Sequence, residues 1–187
     1  MKKLYFLALC LLFSYNLNLF SQQEEEDKFN PFKVDTVKTQ YNPEGYERTF
    51  TQSFETVWNT VIKAIDEQAC QILQKNYNQT AEGYYKGKIF SDYCVIVGKT
   101  DSTWDVLKKF SVQVPIIRGG VWASGRIQYK FWLTEQPNGT TIVKLKGEIS
   151  GMEEHATAKV HFWESNGILE RQILNRIQYL LEHPSTN

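Results

Sequence analysis

The side chains best suited to chemistry gather at a few points along the chain. Glu153, Glu154, His155 and His161 form the densest group of ligand-type residues, and carboxylates with imidazoles are donors for zinc and other transition metals. They lack the H-E-x-x-H arrangement that sets two imidazoles and a carboxylate on one helical face, so the segment reads as a solvated connector and no metal is expected. Cys94, in Asp92-Tyr93-Cys94, could act as a thiol nucleophile assisted by a histidine. The Val95-Ile96-Val97 that follows is an apolar setting, which raises a thiol pKa and favours core packing. Neither Gly-x-Ser-x-Gly nor a Walker-type or dinucleotide-binding glycine pattern occurs. The expectation is a noncatalytic protein without a cofactor.

Two further places suit contact better than catalysis. In Arg118-Gly119-Gly120-Val121-Trp122 the paired glycines let the backbone approach a partner closely, and Arg and Trp are favoured interface anchors. The plainer reading of the same residues is a loop that turns the chain between strands. Trp132 alternates with Phe131 and Leu133, so it lies on an open sheet face or under a helix. Arg118, Gly119, Gly120, Trp122 and Trp132 are the interaction candidates.

The elements that must position these residues follow from periodicity. Residues 46–50 suit a strand, and Ser53 can cap a helix whose stripe is Phe54, Val57, Trp58, Val61, Ile62 and Ile65. A strand is expected at 70–75, a polar loop at 76–82, and strands at 83–90 and 93–97 with a bulge or turn at Ser91-Asp92. Residues 101–120 permit a short strand or a helical turn. Residues 126–133 and 141–149 alternate apolar with polar on either side of Gln136-Pro137-Asn138-Gly139, the strongest hairpin signal in the chain. A connector at 151–161 leads to a closing helix over 163–181, with Leu169, Ile173, Arg176, Ile177 and Leu180 along one stripe. The expected class is α+β: an antiparallel sheet packed by a long N-terminal-side helix and a C-terminal helix, in a helix-grip-like arrangement.

Lys2 and Lys3 precede an apolar run over residues 4–13, which is too short for the roughly 20 residues of a membrane span. Residues 1–21 therefore read as a signal peptide cut after Ser21, and Cys10, inside the run behind Leu9, is poorly placed for lipidation. A flexible acidic tether over 22–44 carries Glu24-Glu25-Glu26-Asp27, and one domain occupies 45–183. The expected location is the periplasm or cell envelope, with peripheral membrane association as one mode of residence. Charge is balanced at 21 basic against 21 acidic residues, which argues against a nucleic-acid surface. Export permits a disulfide between Cys70 and Cys94, and two buried free thiols fit the sequence equally well.

Residues 48–58, Arg-Thr-Phe-Thr-Gln-Ser-Phe-Glu-Thr-Val-Trp, an amphipathic helix and then Cys70-Gln71-Ile72 resemble the opening of domains in the BamC (NlpB/DapX) lipoprotein family. The whole chain also resembles small exported proteins of Bacteroidetes type. The BamC resemblance implies a noncatalytic accessory role in outer-membrane protein assembly, with an envelope protein as partner. That family has two domains where this chain has one, and it has no catalytic motif to transfer. The alternative is a carrier of a small apolar, lipid-like ligand, because a curved helix-grip sheet can enclose a cavity and the chain has aromatics to line it.

Overall fold

The computed structural model describes residues 41–184. The signal peptide expected at 1–21 and the tether residues 22–40 lie outside the described residues. The elements are β1 Tyr46–Phe50, α1 Phe54–Asp66, β2 Ile72–Gln79, β3 Tyr85–Val97, α2 Thr103–Phe110, β4 Val121–Glu135, β5 Thr141–Glu154, β6 Lys159–Glu164 and α3 Ile168–Glu182. Among the described residues this is an α+β arrangement of one six-stranded antiparallel sheet and three helices.

The clearest sequence signals act locally. The Ser53 hydroxyl accepts the Thr56 N–H at 3.4 Å, satisfying one orphan donor at the start of α1. Phe54, Val57, Trp58, Val61 and Ile65 then all face inward. Between β4 and β5, Gly139 at φ +79° supplies the left-handed turn residue, with its N–H donating to the Gln136 carbonyl at 2.9 Å. Alternation along the two strands buries Ile127, Tyr129, Phe131 and Leu133 beside Val143, Leu145 and Ile149. Each such side chain contributes about 1.5–3 kcal/mol when fully buried.

The strands run in the order β1-β5-β4-β3-β2, with β6 also paired to β5. β5 thus has two neighbours on one side: β1 takes Thr141 to Leu145, and β6 takes Glu148 to Glu153. All three helices pack on the face that carries the buried residues. No helix among the described residues covers the other face, which presents Lys88, Phe90, Arg126, Lys130, Trp132, Lys144 and Lys146.

Several expectations need correction. The first helix is not the long one: α1 has 13 residues and α3 has 15, and a third helix, α2, occupies part of the ambiguous stretch 101–120. Residues 76–79 belong to β2, because Tyr77 packs edge-on against Trp58 and holds the strand in register beyond its apolar start. Strands 83–90 and 93–97 are one strand, β3, whose register shifts between Phe90 and Tyr93 around Ser91-Asp92. The connector at 151–161 is in fact the end of β5, a turn and the start of β6. Trp163 lies in β6, where its indole N–H donates to the Ser111 hydroxyl at 2.6 Å, and α3 starts only after Gly167 at φ +88°.

Candidate binding surfaces

Among the described residues β2 forms one margin of the sheet and pairs only with β3. Its turn is set by Gly83 at φ +88°, whose N–H donates to the Thr80 carbonyl at 3.0 Å, while the Thr80 N–H donates to the Tyr84 carbonyl at 2.8 Å. From that closing pair the antiparallel alternation turns the backbone groups of Asn76 and Asn78 toward β3 and those of Lys75, Tyr77 and Gln79 outward. After Ile72, every residue of β2 is exposed, Leu73 at 67% and Tyr77 at 56%. Beside this margin stands a shelf of rings. Tyr77 lies 5.0 Å from Trp58, 5.6 Å from Phe54 and 5.9 Å from Tyr85, and Phe54 stacks on both Trp58 and Tyr85. Gly87 makes this packing feasible, because a Cβ there would overlap the Trp58 ring and the Tyr77 Cβ. At the base of β2 a disulfide joins Cys70 to Cys94 across 5.2 Å between Cα atoms, so Cys94 is no free nucleophile.

The opposite margin is covered in part. β1 is only five residues long and is tied to α3 by the Arg48 guanidinium, which donates to Asn175 Oδ1 at 2.8 Å and Gln178 Oε1 at 3.1 Å. The end of β6 is covered where the Val112 N–H donates to the Glu164 carbonyl at 3.1 Å and Ser111 bridges to Ser165. Two buried carboxylates underlie this margin. Glu153 exposes no surface, yet it sits just beneath a loop and a turn, away from the crowded core. It accepts the N–H groups of Val121, Ala156 and Thr157 and the Thr157 hydroxyl. Desolvation raises its pKa, but these four donors outweigh desolvation and bring it down to about 2. Glu170 accepts the Ser165 hydroxyl at 2.7 Å and the Gly147 N–H at 3.1 Å. Here burial dominates and holds the carboxyl above its ordinary value.

The contact candidates from the sequence are dispersed. Arg118 and Gly119 are exposed on the loop before β4, and Gly119 has φ +77°. Gly120 lies where a Cβ would strike the Glu153 carboxylate, whereas a Cβ on Gly119 would meet open space. Trp122 is buried, edge-on to Trp163 at 5.1 Å and to His161 at 5.6 Å, and offers little surface to a partner. Beside the same loop a hollow of about 500 Å³ is lined by Lys99, Asp101, Trp104 and Gly120 among others. Trp132 is on the open face, 37% exposed and edge-on to Phe90 at 5.6 Å. Thr157 bridges Glu153 and His161, with His161 Nε2 at 2.9 Å from its hydroxyl. Among the described residues no group of three or more His, Cys, Asp or Glu side chains is arranged to hold a metal ion. The β2 margin is the surface that the sequence reading missed. Its available signal was Tyr77, Tyr84 and Tyr85 among amide side chains, a composition that favours adaptable polypeptide contact. No known protein-family model matches this chain, and no curated protein matches it.

Proposed function

We propose that this is an exported, noncatalytic protein of the cell envelope that binds another polypeptide by accepting an extended segment of it as a further strand beside β2. The observation that carries the reading is the row of outward backbone groups at Lys75, Tyr77 and Gln79 on an eight-residue margin strand. Such a row is a template for strand addition, in which main-chain hydrogen bonds give affinity and alternate side chains give specificity. The rings of Tyr77 and Tyr85 supply apolar contact next to it, and Lys75, Lys86 and Lys88 favour a segment that carries carboxylates. The disulfide is compatible with export. The order of strand, helix, antiparallel strands and closing helix supports a helix-grip reading. Together with the resemblance over residues 48–58 and 70–72, it supports an accessory role in outer-membrane protein assembly. The carrier reading would need space between helices and sheet, where Trp58, Ile127, Tyr129, Phe131 and Ile173 are packed together.

The test is cross-linking capture from envelopes of the native host with wild-type protein and Lys75→Pro, combined with amide exchange on the complex. Proline at 75 removes an outward donor and leaves the β2–β3 ladder intact. The expected result is that Lys75→Pro loses the partner while Arg118→Ala and Trp132→Ala keep it, and that the amides of Lys75, Tyr77 and Gln79 gain protection in the complex. A partner that Lys75→Pro captures as well as wild type, or that leaves those amides unprotected, would refute strand addition.

A further inference from the structure

We infer that the open face of the sheet carries a binding site for a small carboxylate with an apolar body, centred on Arg126. A hollow of about 380 Å³ opens where β3, β4, β5 and β6 lie side by side, within the size range of small-ligand sites. The pairing of Arg126 with Ser150, of Ser150 with Phe162, and of Ser124 with Met152 and Met152 with Val160 builds it. Tyr93 and Phe162 form one wall, their rings 5.9 Å apart and inclined at 58°. Met152 and Val160 add apolar surface, and the hydroxyls of Ser124 and Ser150 are neutral donors on the floor.

The charge arrangement selects the headgroup. Glu148 is the carboxylate nearest in register, and it already accepts the Tyr93 hydroxyl at 3.0 Å and the Lys130 ammonium at 3.3 Å. Among the described residues Arg126 has no ion pair or hydrogen-bond partner, so its planar fork is free to engage a carboxylate through two parallel N–H donors. One guanidinium balances a single negative charge, which favours a carboxylate over a phosphate dianion. The apolar body then lies on Met152 and Val160 and against the two rings. β2 contributes nothing to this hollow, so strand addition and carboxylate binding stand or fall separately.

Titration of the isotope-labelled exported chain with sodium octanoate, 1-octanol and inorganic phosphate, followed by amide chemical shifts, tests the site. Octanoate is expected to give saturable shifts confined to Tyr93 and residues 124–126, 150–152 and 160–162. Arg126→Gln should weaken it at least about tenfold, close to 1.4 kcal/mol, with partial recovery in Arg126→Lys. Arg126 is exposed, so the spectra of both variants should otherwise overlay that of the wild type. Octanol binding as tightly as octanoate, phosphate displacing octanoate, unchanged affinity in Arg126→Gln, or no saturable shift at millimolar octanoate would each overturn the assignment.

Discussion

The two margins of the sheet are fastened by different chemistry. At β2 the strand is anchored by one covalent link, Cys70–Cys94, and by rings packed on one of its faces. Neither fastening uses the outward N–H and C=O groups. At β5 the short strands β1 and β6 are held from below by Glu153 and Glu170, which collect donors from loop, turn and strand. There two buried carboxylates take up backbone and hydroxyl donors inside the domain. A margin stabilised without its own edge hydrogen bonds can leave them for a partner, whereas on the other side β1 is short and the end of β6 is already met by Val112 and Ser111.

The contrast can be broken first through the ring shelf. Trp58→Ala should lower stability by about 3–5 kcal/mol, measured by urea unfolding, because a nearly buried indole is lost and Tyr77 loses its support. Amide exchange should then quicken most in β2; quickening spread evenly over β6 would show that the margins are not separately held. Replacing both Cys70 and Cys94 by serine should cost about 3 kcal/mol for a loop of 24 residues, and reductant should reproduce the effect.

Acid should act on the other margin. Glu153 has a folded pKa of about 2, below the ordinary 4.5, so the stability it contributes is present above 4.5 and is lost as pH falls from there toward 2. Glu170 has the opposite sign: its raised folded value means that stability is gained as pH falls through that value toward 4.5. Thermal midpoints measured against pH should therefore rise gently on mild acidification and fall below pH 4.5. Glu153→Gln should flatten the lower limb, and an unchanged lower limb in that variant would place the acid sensitivity elsewhere. The smallest expected stability effect is that of Lys75→Pro, within about 0.5 kcal/mol of wild type by urea unfolding, since among the described residues its N–H has no partner in the sheet.

Much of this architecture was written in short-range pattern. Strand 46–50, helix α1 and the β4–β5 hairpin are each specified by periodicity together with a cap or a turn residue: Ser53 for the helix, Asn138-Gly139 for the hairpin. What escaped depends on groups brought from far away in sequence. Asn76 to Gln79 have loop composition and become strand because Trp58 and Tyr85 support Tyr77. Glu153 has the look of a solvated carboxylate and is buried because Val121 and Thr157 supply donors. Trp122, read as an interface anchor, is turned inward by Trp163, which itself belongs to a strand hidden in the expected connector. Arg126 was noted in the sequence only for its place in the alternation, since the hollow around it requires β6 to lie beside β5.

The division of β5 between two neighbours also bears on the order in which the chain can assemble. β6 follows β5 through a short turn, but the residues that pair with Thr141 to Leu145 are Tyr46 to Phe50, roughly a hundred positions earlier. Local hairpins close quickly, whereas contacts between distant segments must first overcome the entropy of a long loop. For a chain that becomes available from its N-terminus onward, β1 would be the first of the described strands to exist and the last to find its place. The seam between β1 and β5, next to Gly147 and the Glu170 carboxylate, is thus the step at which refolding should be slowest.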